Sequence, residues 1–377
     1  MRELKRDELY DILTGCTILG TGGGGPLEMG KRMIDMALDA GKTFRLVALD
    51  DVPDGDLIIT PYYCGAVSPE DEDITKKYGH LKEMAGEPVV KAVQVMESYL
   101  GRRIDGVIST EIGGANTAAA FIAGAMLDKY IVDADPVGRA VPELQHSTYY
   151  LNGISITPMA IVNPFGESAI FTEVVDDFRA EAMVRSIAVA SKNTVAVADH
   201  LTTGTSIKSS VIPGVISTAL AMGKAHREAI ENQANIGEAI AAAGNGRVAF
   251  KGTVGQFHWE TVEGFTVGEV LIDGEGPYTG HNLRIWFKNE HIVSWLNGKP
   301  YINAPDMICL IDSNTGKPVT NPYYEVGKPL TAIALPAPKE WTTESGLDCF
   351  SAKYFGFDIE YVPYNSRIDA KGVIIPQ

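Results

Sequence analysis

Between residues 1 and 135, short apolar runs alternate with stretches whose apolar residues recur every three or four positions. That is the pattern of a mostly parallel sheet covered by helices. The spacing predicts helices over 5–19, 27–40, 87–100 and 116–127. Met29, Met33, Met36 and Ala37 form the apolar stripe of the second, and Pro26 stands near its first turn. Strands are predicted over 44–49, 56–60, 106–109 and 130–132, closed by turn residues such as Pro53, Asp54, Gly55 and Pro61.

From about residue 171 the period lengthens. Helices are expected over 173–190 and 214–243, with a strand over 194–198 and the Ser/Thr-rich segment DHLTTGTSIKSS between them. Beyond Gly244 the chain breaks into short β-rich runs at 247–252, 266–272, 282–287, 292–295, 307–311 and 330–335, with turns at 273–276 and 314–316. Such spacing favours a sandwich or barrel module. The expected organisation is an α/β domain over 1–166 that carries the active site, then a domain over 167–377 with two long helices and a β-rich module.

Length agrees with two cores, since 377 residues exceed the usual size of one. With 45% hydrophobic and 21% charged residues the chain has an ordinary globular composition. A formal charge of -16 argues against nucleic acid, whose phosphates require clustered cations. Cys16, Cys64, Cys309 and Cys349 show no ligand spacing, the opening MRELKRDELYDILTGCTILG is charged and helical, and no apolar run approaches a membrane span. These features lead to the expectation of a cytoplasmic protein without a membrane role, and the β edges and long helices to that of a homo-oligomer.

In an open parallel sheet, ligands bind outside the carboxyl ends of the strands. PYYCGAVSPED follows the second expected strand, TEIGGANT the third and DADPVGRAVPELQH the fourth, while a helix begins just past GTGGGGP. Gly22, Gly23, Gly24 and Gly25 omit side chains at four consecutive positions, which suits close backbone approach to an anion or polar ring. No strand is expected before the run and no Lys-Ser or Lys-Thr follows it, so it does not read as a nucleotide loop, and its plain alternative is a tight turn between helices. Glu111 falls at a strand end before Gly113, Gly114 and the expected N-cap Asn116. It reads as a general base or metal ligand, or as an anchor for loop amides.

Asp133, Asp135, Arg139, Glu143, Gln145 and His146 form the densest polar stretch of an apolar region. Asp133 and Asp135 are spaced to share a cation or to split acid and base roles, and Arg139 offers a planar fork to a ring oxygen. An ion-pair network holding a loop is the alternative. A bound Zn²⁺ would draw on Glu111, Asp133, Asp135, Cys64 and His80. His200, beside Asp199, is a further histidine–carboxylate candidate; His258, His281 and His291 read as core or surface residues. No GxSxG or HExxH occurs, so acids, an arginine and a glycine cradle favour addition of water to an electrophilic carbon over acyl-enzyme chemistry.

LGTGGGGP (19–26), EIGGANT (111–117), VDADPVGRAVPELQ (132–145), KNE (288–290), APDMICLIDSNTGKPV (304–319) and FGFDIEYVP (355–363) together resemble the S-methyl-thiohydantoin desulfurase family, formerly a domain of unknown function associated with hydantoinases and oxoprolinases. The resemblance implies a Rossmann-like N-terminal domain, a β-rich C-terminal domain and hydrolytic desulfurization of a thiohydantoin-type ring. Carried over by position, it points to Gly22–Gly25, Glu111, Gly113, Gly114, Asn116, Asp133, Asp135, Arg139 and Glu143. The stretch 64–82 carries no family motif.

On this reading Glu111 or Asp135 activates water, directly or through Zn²⁺. The glycine loop and Arg139 hold the ring oxygens, and Glu143 protonates the leaving group or orients Arg139. Two alternatives use the same residues: a metal-dependent amidohydrolase opening a hydantoin or lactam ring, and a non-catalytic ligand-binding subunit of a hydantoinase-like complex.

Overall fold

The computed structural model describes residues 1–65, 72–369 and 373–377. Two sheets organise the chain. The first takes β1 (Arg2–Leu4), β2 (Phe44–Ala48), β3 (Leu57–Gly65), β4 (Gly106–Val107), β5 (Tyr130–Asp135), β6 (Met159–Val162), β7 (Ser168–Phe171), β8 (Thr194–Thr203) and β9 (Ile212–Pro213). Its order is β1-β2-β5-β4-β3-β8-β6-β7, with β9 paired to β5. The centre β2-β5-β4-β3 is parallel. Every residue of β5 is buried, as expected of a strand covered on both faces.

Helices Arg6–Leu19, Leu27–Asp39, Pro88–Leu100 and Gly114–Met126 stand within a residue or two of their predicted bounds. The last is almost wholly buried, which its alanines permit by packing closely on all sides. The predicted helix over 214–243 is instead two, Val215–Glu231 and Ile236–Ala243. Gln233 takes a left-handed φ of +54°, and the Asn235 side chain accepts from the Glu238 amide to begin the second helix. The strand expected over 194–198 runs on to Thr203 and belongs to the first sheet. The loop PYYCGAVSPED lies partly outside the described residues, at 66–71.

The second sheet is antiparallel, made of β10 (Arg247–Val262), β11 (Phe265–Gly274), β12 (Asn282–Lys288), β13 (Glu290–Leu296), β14 (Lys299–Asn303), β15 (Met307–Asp312) and β16 (Pro329–Leu335) in the order β14-β13-β12-β11-β10-β16-β15. The architecture is therefore α/β plus β. Each sheet has apolar clusters of its own, and one further cluster is shared: Met307, Cys309, Ile333 and Leu335 of the second pack with Ile12, Cys16 and Ile216 from the helices of the first. No helix among the described residues is long and apolar enough to cross a membrane.

Candidate active site

A cavity of about 360 Å³ opens beyond the carboxyl ends of β3, β4 and β5. Cys64 and Gly65 reach it from β3, Glu111 from the loop after β4, and Pro136 and Val137 from the loop after β5. Asn289, Glu290 and Tyr323 close it from the second half of the chain.

Of the four loop glycines, only Gly24 and Gly25 line this space. Gly22, Gly24 and Gly25 have φ of +95°, +69° and +80°, and a Cβ on Gly24 would overlap the backbone of Gly113. The Gly24 carbonyl accepts from the amides of Ala115 and Asn116 at 2.9 and 3.1 Å, so the loop itself caps the helix Gly114–Met126. The expected anion cradle is thus corrected in part. Gly22, Gly23, Gly113 and Gly114 serve close packing around the cavity instead of lining it. A Cβ on Gly23 would run into the carboxylate of Glu290, and one on Gly114 into Thr17.

Glu111 is buried on the cavity wall. Its Oε1 accepts from Asn116 Nδ2 at 2.7 Å and its Oε2 from the Val141 amide at 2.9 Å. Asn116 is not the expected N-cap: Gly113 holds that position, and the Asn116 Oδ1 receives the Tyr63 amide at 3.0 Å. The side chain therefore fixes Glu111 relative to β3. Burial pushes the Glu111 carboxyl up to about 7, against the two hydrogen bonds and the charges of Arg139 and Arg185 that favour its ionised form.

Glu290 is the second acid of the wall. It opens β13 after the one-residue turn at Asn289, and its Oε2 has no hydrogen-bond partner among the described residues. Burial and then the charge of Glu111 hold its carboxyl well above the usual range, opposed by Arg139 and Arg185. Two buried acids, each raised by burial and the second raised further by the first, form a unit able to give one proton and take another.

The polar stretch after β5 is mainly scaffold. The carboxylate of Asp133 accepts from the amide and hydroxyl of Ser217 at the start of helix Val215–Glu231. Asp135 is fully buried behind the wall, with Oδ1 accepting from the amides of Val137 and Gly138 at 3.2 and 2.7 Å. Neither reaches the cavity, so the shared cation and the role of Asp135 as base are corrected to turn and helix anchors.

Arg139, expected to hold a ring oxygen, is likewise turned away. Its guanidinium donates to the carbonyls of Ala140, Pro305, Asp306 and His291 and to Thr21 Oγ1, joining the two halves of the chain. Burial lowers it to about 10, against Glu290, Asp306 and Glu111, whose charges favour the cation.

Glu143 does line the cavity, yet both its oxygens are engaged, by Lys288 Nζ and by Gln145 and the Tyr354 hydroxyl. Burial would raise its pKa, but the charge of Lys288 and these hydrogen bonds hold it below the usual value. An acid kept ionised is a poor proton donor, and Glu143 does not touch Arg139, so its expected role is replaced by an ion pair across the seam.

The proposed metal ligands do not converge. His80 is exposed on the turn after Tyr78, and burial pushes the Cys64 thiol up to about 12, keeping it neutral. Among the described residues no three His, Cys, Asp or Glu side chains gather as a metal ion would require. Arg185, which lines the cavity, is tied to Glu181 and to the carbonyls of Gly65, Gly264 and Pro142. His146 also lines it, neutral among Phe350, Tyr354 and Phe355, with burial lowering its pKa to about 3.

Family models for the N-terminal and C-terminal domains of S-Me-THD-like proteins match residues 7–173 and 175–364. The chain belongs to the S-Me-THD-like family. A crystal structure of a protein from Chromobacterium violaceum is 22% identical to this family member, covers 96% of this chain and 100% of its own, and superposes with a TM-score of 0.75. That likeness shows a shared fold. No curated protein matches the chain.

Sequence reasoning passed over Glu290, Arg185 and Tyr62. Glu290 had a signal, since KNE is one of the segments that carry the family resemblance. It lies in a β-hairpin 179 positions after Glu111 in the chain, and only the docking of the two sheets brings the carboxyls to one cavity.

Proposed function

We propose that this protein catalyses hydrolytic desulfurization of a thiohydantoin-type five-membered ring, with water replacing sulfur at the ring carbon and a thiol or sulfide departing. The observation that carries the reading is the pair of buried carboxyls, Glu111 and Glu290, on one cavity wall. Membership of the S-Me-THD-like family supplies the ring chemistry. The volume suits a heterocycle with one substituent.

Glu111, raised to about 7, is the base that takes a proton from the attacking water. Glu290, held protonated by burial and by Glu111, is the acid that delivers a proton to the departing sulfur. Asn116 and the Val141 amide keep Glu111 aimed, and Tyr63, Tyr149 and Leu144 supply apolar faces that exclude bulk water from the ring. The lining cation Arg185 is already paired, so among the described residues no free positive charge awaits the carboxylate that ring opening would create.

Purified protein incubated with an S-methyl-thiohydantoin tests the reading. Release of one thiol per intact hydantoin ring is expected. Ring-opened acid without thiol, or no turnover, would overturn it.

A further inference from the structure

The hairpin from β12 to β13 turns on Asn289, whose φ of +57° is left-handed, a conformation asparagine adopts more readily than most residues. Three hydrogen bonds fix it there. Its amide donates to the Thr266 carbonyl at 2.7 Å, its carbonyl accepts from Asn321 Nδ2 at 2.7 Å, and its Oδ1 accepts from the Thr266 amide at 2.8 Å. A backbone amide can only donate, so Oδ1 is the atom that faces Thr266, and Nδ2 is left as the one polar atom of Asn289 without a partner among the described residues.

Asn289 lines the cavity, as do the nitrogen-bearing side chains of Asn116, His146, Arg185 and His200. Asn116 donates to Glu111, Arg185 is bound to Glu181 and to carbonyls, and His200 turns Nδ1 to Asp199 at 2.8 Å. Both ring nitrogens of His146 and the Nε2 of His200 are unpartnered but sealed from solvent. Nδ2 of Asn289 is neither committed nor sealed, and the residue keeps a 4% exposure on the wall. It is a donor held in place before any ligand arrives, next in the chain to Glu290, and it calls for an uncharged acceptor such as a carbonyl oxygen.

We infer that Asn289 is a catalytic residue: through Nδ2 it donates to the ring carbonyl oxygen of the thiohydantoin and stabilises the negative charge that reaches that oxygen when water adds.

The inference rests on the desulfurization reading and deepens it. In an S-alkylated thiohydantoin the carbon bearing sulfur is doubly bonded to the ring nitrogen that stands beside the carbonyl. The water oxygen bonds to that carbon as Glu111 takes one proton, and the C=N electron pair moves to nitrogen, which shares it with the carbonyl oxygen. A donor already in place is worth most where charge develops in this way. When the carbon–sulfur bond breaks, sulfur keeps its pair and receives the Glu290 proton, the pair on nitrogen re-forms C=N, and Glu111 passes its proton to Glu290. The products are the thiol and the hydroxy-imine form of the hydantoin, which becomes the hydantoin when one proton moves from oxygen to nitrogen in water. One water is consumed, and Asn289 transfers no proton.

Two neutral probes test this contact by calorimetry: hydantoin, and imidazolidin-2-one, which lacks the carbonyl in question and keeps the one that water installs. Wild-type protein is expected to bind hydantoin about tenfold more tightly, and Asn289→Asp and Asn289→Gly to lose that preference. Both replacements suit the left-handed turn, and Asp also keeps the acceptor for the Thr266 amide. On an S-methyl-thiohydantoin, kcat should fall about 100-fold in either folded variant. In wild-type protein the Asn289 side-chain amide signals in NMR should shift with hydantoin and stay in place with imidazolidin-2-one, a readout that needs no variant to fold. Equal binding of the two probes by wild type, an unchanged preference or kcat in a folded variant, or side-chain signals unmoved by hydantoin overturns the role of Asn289 alone. Wild-type protein that frees no thiol from the S-methyl-thiohydantoin overturns the parent reading with it.

Discussion

Glu290 stands directly over Gly23, with its carboxylate in the space a Cβ at that position would occupy. The glycine run of the first half thereby shapes where an acid of the second half can sit. Gly23→Ala should displace a side chain, whereas Gly24→Ala, with φ of +69° and backbone of Gly113 in the way, must move main chain. We expect the first to lower kcat about tenfold or more with a small loss of stability, and the second to cost roughly 1–3 kcal/mol. Turnover and thermal unfolding of both variants check the contrast.

Glu111→Gln keeps the shape of the site and removes its base. Turnover is expected to drop by about 100-fold or more. Full activity in the folded variant would remove Glu111 from the mechanism.

The same residue sets a pH dependence. Because its folded pKa of about 7 exceeds the ordinary value of 4.5, the folded protein binds the proton more tightly than the unfolded chain. Its stabilising contribution is complete below about 4.5 and is lost as pH rises through 7, on the order of 3 kcal/mol in total. Urea unfolding of wild type between those values should show falling stability, and Glu111→Gln should flatten that slope.

Glu143→Gln tests scaffold against chemistry. With Glu143 depressed, its ion pair with Lys288 contributes stability above the unfolded carboxylate value and loses it as pH falls. The variant should lose roughly 1–3 kcal/mol at neutral pH, with kcat within a few-fold of wild type. A collapse of kcat without loss of stability would return Glu143 to the reaction.

Arg139→Lys retains charge but not the fork that reaches Pro305, Asp306, His291 and Thr21 together. We expect a loss of about 2–4 kcal/mol, read by chemical denaturation. An unaltered midpoint would mean the staple is dispensable.

The helices and parallel strands of the first 135 residues were legible because each is a local pattern, and Glu111 was legible because a strand end announces itself. β1, β6, β7 and β14 were not, being short strands whose partners come from elsewhere in the chain. The dense polar stretch from Asp133 to His146 misled for a physical reason. Polar residues in an apolar region signal equally a reacting group and a buried backbone that needs partners, and Asp133, Asp135 and Arg139 supply the second. The break near Gln233 hid because Asn and Gln tolerate helix interiors well enough to leave the apolar rhythm intact.

The division of Glu111 and Glu290 between two sheets makes turnover a gauge of assembly. Either half made alone carries one acid, and Glu290 would lack the neighbour that raises its proton affinity. A slight shift of one sheet over the other would detune Glu290 before any strand unpaired. Catalytic decline should therefore precede visible melting on heating, and the protein's most sensitive thermometer would be its own reaction.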